Sequence, residues 1–516
     1  MGDGMAKYLV GCDIGTSGAK AVIADEEGRI YGSYYVEYPL YSPRAGWFEH
    51  NPNDYWEVFK KNMQSILKQS RVDPSEIVGV SVSACSPCCI LVDREGNPLK
   101  NSPIWMDRRA QKECDFVRNY YDDDKIFEIC ANPLDPHSGA IKLLWEKNNN
   151  PELYKKAYKM LNPANFITMK LTGEFVTDYS NASLIGIFFD IVKREWRTDM
   201  IERLGIDAEK LTRLVPCHEI AGEVTKKASE ECGLCPGTLV MAGSVDCNAA
   251  WLGNGATHPE DASFVMGTAG ALGVVHKEPR FTKSLTTIIH TADSQTLYTT
   301  LAGTSSCGGL LRYLRDTFTE RENEICNREG KDIYDIFSEE AASIPAGAEG
   351  LIVLPYLSGE RTPLWNPNAR GMVFGLSFSH KRGHWVRAMM EGAIYAIYHC
   401  LKIMQENHLP VSNPILVSEG GAKSELWRQI ASDILNVDLN YMKEAKGAPM
   451  GNVINAGVGA GVFGSFDVAK TFIKVDKTHH PVPEQHAIYE EYYTIYRKLY
   501  EDIKSNYDIL SRMRNG

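Results

Sequence analysis

Residues 13–20 place a carboxylate, two hydroxyls and a lysine around a tight turn, in the order Asp-Ile-Gly-Thr-Ser-Gly-Ala-Lys. Glycines let backbone N–H groups approach a phosphate, and consecutive N–H groups form an anion-binding nest. Asp13 can hold Mg²⁺ with retained waters, and Lys20 can neutralise charge that develops on a phosphate. The segment matches neither the P-loop nor the dinucleotide-binding glycine motif. It therefore predicts a phosphate and magnesium site, with an ordinary hairpin turn as the alternative.

Two further glycine-rich turns offer similar backbone donors. Residues 267–270 read Gly-Thr-Ala-Gly, which repeats the pattern of residues 15–18 without the preceding carboxylate. Residues 420–424 read Gly-Gly-Ala-Lys-Ser and stand between an apolar segment and a predicted helix, a junction that suits a nucleotide. A plain strand-to-helix loop is the alternative for this third turn.

Asp246 follows the apolar segment 239–242. An aspartate in this position usually caps the next helix, and residues 249–252 have the character of such a helix. The functional alternative makes Asp246 a base that orients and deprotonates a hydroxyl. From the residues alone, the cap is favoured.

Strands and helices alternate along the chain, which favours an α/β architecture. The first hundred residues predict strands at 8–14, 19–24, 30–38, 77–83 and 89–93, with a helix at 53–70. The two Gly-Thr-x-Gly turns lie about half the chain apart, each between apolar strands, which favours two similar domains. We place them at residues 1–257 and 258–516, and we predict a striped helix over 484–514.

The composition excludes several classes of protein. The chain has 516 residues and a net charge of −11, which argues against nucleic acid as the main partner because nucleic-acid phosphates are bound by basic patches. No apolar run approaches the roughly 18 residues of a membrane span. The 13 cysteines are scattered, so free thiols in a reducing cytoplasm are expected rather than a metal site at the Cys-x-x-Cys pairs 85/88 and 232/235.

Ordered sequence blocks between Asp13 and Gly464 make the chain resemble the FGGY carbohydrate kinases, and within them the xylulokinase branch. The blocks are residues 13–20, 104–109, 171–173 with 178 and 181–183, 354–363, and 371–376 with 387–388 and 391–392.

The resemblance implies two actin-like, ribonuclease-H-like domains of the sugar kinase, heat-shock ATPase and actin superfamily, with a cleft between them. It implies ATP-dependent phosphorylation of a sugar hydroxyl, with Asp246 as catalytic base and Asp13 as the Mg²⁺ ligand. The implied contacts are Thr16, Ser17 and Lys20 at the transferring phosphate, Gly267 and Thr268 at the nucleotide phosphates, Gly308, Gly421 and Ala422 at the nucleoside, and Trp105 at the sugar.

The sugar pocket departs from the family pattern. Xylulokinases often carry Gln-Met-His where this chain has Cys85-Ser86-Pro87, and Cys247 follows Asp246 where Asn is frequent. Ser86 is therefore expected at the sugar. His137 is expected near it as well, with an ordinary loop histidine as the alternative.

D-xylulose is the predicted acceptor, and ribulose, gluconate, glycerol or another polyol are the alternatives. Glycerol kinases typically place Arg-Glu in the pocket stretch, and Ser86-Pro87 cannot supply those contacts. A non-catalytic actin-like nucleotide sensor is a further alternative, which the presence of both Asp13 and Asp246 disfavours. The family often dimerises, so a homodimer is a candidate assembly, and the cytoplasm is the expected location.

Overall fold

The computed structural model describes residues 7–44, 46–443 and 447–515, and within them the strands form two seven-stranded sheets and several two-stranded ribbons. The strands of the first half are β1 (Tyr8–Ile14), β2 (Gly18–Asp25), β3 (Ile30–Glu37), β4 (Glu49–His50), β5 (Ile77–Ala84), β6 (Ile90–Val92), β7 (Ser102–Pro103), β8 (Lys159–Leu161), β9 (Val176–Asp178), β10 (Phe189–Asp190), β11 (Glu195–Trp196), β12 (Arg213–Val215), β13 (Ile220–Glu223), β14 (Leu239–Met241) and β15 (Ser244–Val245). Those of the second half are β16 (Ala262–Met266), β17 (Gly270–His276), β18 (Thr286–Ile289), β19 (Tyr298–Gly303), β20 (Ile352–Leu354), β21 (Met372–Phe374), β22 (Ile415–Ser418), β23 (Leu439–Tyr441) and β24 (Lys477–His479).

Helices cover the sheets and connect their strands. They are α1 (Pro52–Ser70), α2 (Gln111–Arg118), α3 (Asp123–Cys130), α4 (Gly139–Asn149), α5 (Pro151–Lys156), α6 (Pro163–Thr172), α7 (Tyr179–Ile185), α8 (Thr198–Arg203), α9 (Lys226–Cys232), α10 (Asp246–Gly253), α11 (Gly308–Phe318), α12 (Glu320–Glu329), α13 (Ile333–Ala342), α14 (Arg382–Glu406), α15 (Glu425–Leu435), α16 (Gly447–Gly459), α17 (Val468–Thr471) and α18 (Pro483–Asn515). In the described part of the chain, none of them is both long and apolar enough to cross a membrane.

The two large sheets repeat one topology. The first has the order β13-β14-β5-β1-β2-β3, with β15 beside β5, and the second has the order β24-β23-β22-β16-β17-β19-β18. In both, the first two strands are antiparallel, and the first strand pairs in parallel with the strand on its other side. The two Gly-Thr-x-Gly turns therefore occupy equivalent places, each between the first and second strands of its sheet. The predicted α/β architecture of two similar halves is confirmed.

Local sequence signals set the limits of these elements. Helix α1 begins at Pro52, one residue before the predicted start, because proline suits the first helical turn and the Asn51 side chain accepts the Asn53 N–H. Strand β1 has the predicted limits. The C-terminal helix α18 forms as predicted but extends one residue further at each end, and it packs on its own chain through buried tyrosines such as Tyr489 and Tyr496.

Helix α16 comes late in the chain but packs on the first sheet. Gly451 lies so close to α10 that a Cβ there would stand 1.8 Å from the backbone oxygen of Ala249. A Cβ at Gly11 on β1 would stand 2.0 Å from the backbone oxygen of Pro449. Apolar side chains of α16, such as Met450 and Val453, share a buried cluster with the first sheet. The domain limit at residue 257 stays a prediction, and α16 crosses it in space.

Candidate functional site

The parallel pairing of three strands brings two carboxylates to one edge of the first sheet. Asp13 at the end of β1 lies opposite Ser83 on β5, and Ser83 in turn lies opposite Ser244 on β15. Asp246 follows β15 directly, so it lies at the same carboxyl edge as Asp13. The carboxyl ends of parallel strands are where open α/β sheets bind ligands.

A cavity of about 230 Å³, here called cavity A, opens at this edge between the two halves. It is lined by several of the residues that the sequence analysis assigned to the sugar or the phosphate, namely Thr16, Ser86, Trp105, His137 and Asp246. The structure therefore brings these five side chains together.

Hydrogen bonds from the first half hold the walls of cavity A. The Trp105 indole donates to Thr16 Oγ1 at 3.0 Å, and Ser86 Oγ donates to Asn162 Oδ1 at 3.3 Å. The buried Lys142 ammonium donates to the backbone oxygens of Pro87, at 3.1 Å, and of His137. Lys142 thus joins the two loops that carry Ser86 and His137.

The second half completes cavity A with the segment between β20 and β21. The Arg361 guanidinium lies 5.4 Å from the centre of the Trp105 ring, and the Trp365 ring stacks on His137 with centres 6.1 Å apart. The Trp365 indole donates to the backbone oxygen of Ser284 at 2.8 Å, which fixes the ring from its own half. Both aromatic contacts cross between the halves.

Asp246 is the first residue of α10, and the N-cap position belongs to Val245. The expected capping role is therefore wrong: Asp246 Oδ1 accepts the adjacent Cys247 N–H at 2.6 Å, which leaves the other carboxylate oxygen free of that bond. Burial raises the pKa of Asp246 to about 6, against the lowering effects of the Cys247 N–H and the Arg361 charge. A carboxylate with a raised pKa in a cavity is suited to act as a base.

A residue far away in the chain stabilises the position of Asp13 through a hydrogen-bonded serine. Its Oδ1 accepts the Ser83 hydroxyl at 2.6 Å, and Asn452 on α16 donates to Ser83 Oγ at 2.7 Å. The pKa of Asp13 is raised by burial and by the negative charges of Asp246 and Glu419, against the Ser83 hydrogen bond and the Lys20 charge.

The carboxylates at this edge fit a magnesium ion. Burial disfavours the charged forms of Asp13 and Asp246, and the negative charges of Asp246 and Glu419 add to this effect at Asp13, so a bound cation would stabilise both carboxylates. Within the described residues, no group of three or more His, Cys, Asp or Glu side chains is placed to bind a metal. Mg²⁺ needs no such cage, because it is usually held by one or two carboxylates together with phosphate oxygens and water.

A second cavity of about 410 Å³, here called cavity B, lies at the equivalent edge of the second sheet. Its lining includes Gly267, Thr268, Gly308 and Gly421, together with Glu419. The parallel pairing of β16 with β22 brings the turns after these strands together. The two later glycine-rich turns of the sequence analysis therefore share one cavity.

Close backbone contacts shape cavity B. The Gly308 N–H at the start of α11 donates to the backbone oxygen of Gly267 at 2.8 Å. A Cβ at Gly308 would also stand 2.8 Å from that oxygen, so the approach requires glycine. Ala422 is fully buried beneath the turn, and its neighbours Gly421 and Lys423 line the cavity instead.

Two residues expected at the transferring phosphate stand apart from both cavities. Ser17 and Lys20 are exposed and line neither. Lys20 nevertheless lies directly opposite Asp13 in the β1–β2 pairing.

The sequence analysis assigned no role to three side chains that line cavity A. They are Arg108, Arg361 and Trp365. Arg108 and Arg361 belong to sequence blocks that carried the family resemblance, so a signal was present. Nothing in their spacing shows that a segment of the second half lines the same cavity as Asp246 of the first half.

The thirteen cysteines of the described chain are free thiols, as expected. Most are buried, and Cys247 lines cavity A beside Asp246.

Comparisons with known proteins match nearly the whole chain. The models of the FGGY family of carbohydrate kinases match residues 8–253 as its N-terminal domain and residues 262–460 as its C-terminal domain. A gluconokinase of Bacillus subtilis is 29% identical over 93% of each chain, and a xylulose kinase of Staphylococcus epidermidis is 30% identical over 93% of this chain and 94% of that protein. The crystal structure of gluconate kinase from Lactobacillus acidophilus superposes with a TM-score of 0.88 at 25% identity, covering 98% of this chain and all of that one.

Proposed function

The chain belongs to the FGGY family of carbohydrate kinases and is an ATP-dependent sugar kinase, and we propose on this premise that it phosphorylates a hydroxyl of an open-chain acceptor of sugar size in cavity A. The observation that carries the proposal is the position of Asp246. Its carboxylate lines cavity A at the carboxyl edge that Asp13 shares, while the glycine turns of cavity B lie at the matching edge of the other sheet.

The nucleotide would occupy cavity B. The backbone of Gly267 and Thr268 would face its phosphates, and Gly308 and Gly421 would line the nucleoside. Helix α11 starts at Gly308, and its first N–H groups hold the Gly267–Thr268 turn in place, because the Gly308 and Gly309 N–H groups donate to the backbone oxygens of Gly267 and Thr268. Asp13 would hold Mg²⁺, which when bound neutralises charge on the transferring phosphate.

The side chains of cavity A then have distinct tasks. Asp246 accepts the proton of the acceptor hydroxyl as that oxygen attacks. Trp105 and His137 are held by the contacts described above and flank the acceptor chain. Because phosphoryl transfer depends mainly on positioning and charge stabilisation, a rigid wall of this kind is what the reaction requires.

Water must be kept away from the transferring phosphate. Arg361 and Trp365 reach from the second half onto Trp105 and His137 of the first, so closing the cleft covers cavity A from both sides. Exclusion of water suppresses hydrolysis of ATP in the absence of an acceptor.

Two acceptors have separate support. D-xylulose is the prediction from sequence, and a xylulose kinase is among the similar proteins. Gluconate is supported by the gluconokinase and the gluconate kinase that the chain resembles to the same degree.

An ADP-release assay with Mg-ATP tests the proposal. We expect release that depends on the acceptor when D-xylulose, D-ribulose, D-gluconate and glycerol are compared, with one of them strongly preferred. ADP release that no acceptor stimulates would contradict the proposal and favour a nucleotide sensor.

The pH dependence of the reaction should report Asp246. Since its pKa is raised to about 6, protonation removes the base as the pH falls through that value, and kcat/KM for the acceptor should fall about tenfold per pH unit below it. ADP binding, measured by calorimetry over the same range, serves as the control. A bound Mg²⁺ would favour the charged carboxylate and move this fall to lower pH, so only a kcat/KM that stays constant to below the ordinary Asp pKa of roughly 3.9 would exclude Asp246 as the base.

A further inference from the structure

The third glycine-rich turn, residues 420–424, has two backbone N–H groups available to a ligand. Gly420 and Gly421 both line cavity B, and among the described residues neither of their N–H groups has an acceptor. The N–H groups of the next three residues each donate to the backbone oxygen three residues earlier. The turn can therefore present its first two N–H groups to a ligand, as long as it keeps this shape.

A buried arginine of α15 holds the other end of the turn. Arg428 Nη1 donates to the backbone oxygen of Ala422 and, at 3.1 Å, to that of Lys423. In the described part of the chain, no other group donates to these two oxygens. The position of both carbonyl groups thus depends on one guanidinium.

Planar peptide groups connect the first of these carbonyls to a free N–H group. The peptide group that carries the Ala422 oxygen also carries the Lys423 N–H, which donates to the Gly420 oxygen at 3.2 Å. The Gly420 oxygen shares its peptide group with the Gly421 N–H. Fixing the Ala422 carbonyl therefore fixes the direction of the Gly421 N–H.

A second series of planar groups leads to the other free N–H. The Lys423 oxygen shares its peptide group with the Ser424 N–H, which donates to the Gly421 oxygen at 3.3 Å. The N–H of that peptide group belongs to the next residue and donates to the Glu419 oxygen at 3.1 Å. Because the Glu419 oxygen shares its peptide group with the Gly420 N–H, the Lys423 carbonyl sets the direction of this N–H.

An aromatic ring keeps the guanidinium in position. The guanidinium carbon of Arg428 lies 4.0 Å from the centre of the Tyr441 ring on β23, close enough for a cation–π contact. Both residues are buried. The ring contact and the two hydrogen bonds together restrict the movement of Arg428.

No ion pair explains the burial of Arg428. Among the residues that the structure describes, no carboxylate lies within 4.0 Å of its guanidinium, and the nearby Glu425 pairs with Lys477 instead. Burial lowers the pKa of Arg428, against the opposing effects of Tyr441 and two nearby carboxylates, and Nε has no hydrogen-bond partner. Burying a charge without an ion pair is costly, which points to a role at the turn rather than in the general stability of the fold.

Resting on the proposed function, in which the nucleotide occupies cavity B, we propose that Arg428 is a positioning residue for the nucleotide. Its side chain does not line cavity B, so it acts through the turn. With both carbonyl groups held, the N–H groups of Gly420 and Gly421 keep the directions in which they donate to the nucleotide. Without the guanidinium, the peptide groups of the turn can rotate and these donors lose their alignment.

Calorimetry with ADP, together with steady-state kinetics, tests this role. In Arg428→Gln we expect Kd for ADP and KM for ATP to rise roughly 10-fold, as for a lost hydrogen bond to a charged group. The acceptor KM and kcat at saturating ATP should change little, because no residue of the turn lines cavity A. Arg428→Lys keeps a charged donor and should bind ADP within about threefold of the wild type.

The next residue of α15 provides a matched control. Gln429 donates to Asp433 Oδ1 at 2.9 Å and to the backbone oxygen of His480 at 2.8 Å, and it has no contact with the turn. Gln429→Ala should therefore bind ADP as the wild type does.

Two variants of Tyr441 test the same role without changing Arg428 or the turn. Tyr441→Leu removes the ring and should raise Kd for ADP about threefold, since a cation–π contact contributes less than a charged hydrogen bond. Tyr441→Phe keeps the ring and should bind ADP as the wild type does. This pair decides the question if Arg428→Gln fails to fold.

The outcomes separate this inference from the proposed function. Unchanged ADP affinity in a folded Arg428→Gln protein, or in both Tyr441 variants, would overturn the role of Arg428. An equal loss of ADP affinity, acceptor affinity and kcat, with a lower melting temperature, would overturn it as well, because it would show a structural role only. A wild-type protein that binds no ADP would instead overturn the proposed function.

Discussion

Replacement of Asp246 by asparagine is expected to lower kcat about 10²- to 10⁴-fold, the usual contribution of a general base. Asparagine has nearly the same shape, and its amide oxygen can still accept the Cys247 N–H. It cannot take the proton of the acceptor hydroxyl. The loss should therefore appear in the chemical step and leave the fold and cavity B unchanged.

Steady-state kinetics and ADP calorimetry together test this expectation. The variant should bind ADP with the wild-type affinity while its sugar-dependent ADP release is almost lost. Asp199→Asn is a suitable control, because Asp199 is an exposed carboxylate paired with Arg197 on the surface. Wild-type turnover by Asp246→Asn would show that another group deprotonates the acceptor.

Replacement of Gly451 by alanine is expected to lower the free energy of unfolding by about 1–3 kcal/mol, the usual cost of overpacking. The new Cβ would stand 1.8 Å from the backbone oxygen of Ala249 and 2.7 Å from its carbonyl carbon. Backbone atoms cannot rotate away as a side chain would, so α10 and α16 must separate. Since Asp246 begins α10, kcat should fall as well.

Chemical denaturation measures the change in the free energy of unfolding, and acceptor kinetics measure the change in kcat. Gly464→Ala provides the control, because a Cβ at Gly464 meets no atom within 4 Å. We expect that variant to behave as the wild type. A Gly451→Ala protein with unchanged stability and unchanged kcat would contradict the tight crossing of the two helices.

Local patterns were sufficient for much of the fold. The limits of β1 follow from an apolar run that ends at a glycine turn, and α1 follows from helical spacing after Asn51. The repeated Gly-Thr-x-Gly turn indicated two similar halves, and the matching strand orders of the two sheets bear this out.

The site depends on contacts that no local pattern contains. Asp246 was interpreted from its neighbours as a helix cap, whereas its environment comes from the parallel pairing of β15 with β5, about 160 residues earlier. Asn452 supports Asp13 through Ser83 across more than 360 residues. Arg361 reaches cavity A from a segment between two short strands. Family resemblance could assign roles to known motif positions, but it could not show that Arg361 and Trp365 line the same cavity as Asp246.

The position of α16 limits how parts of this enzyme can be exchanged with those of relatives. A chimera cut between the halves at residue 257 would take its α16 from the donor of the second half. That donor would then supply three contacts of the first half. These are the Pro449 backbone beside Gly11, the Asn452 side chain that donates to Ser83 next to Asp13, and the helix surface on which α10 packs. Grafting the segment between β20 and β21, which carries Arg361 and Trp365, would change the lining of cavity A and leave the helix crossing untouched.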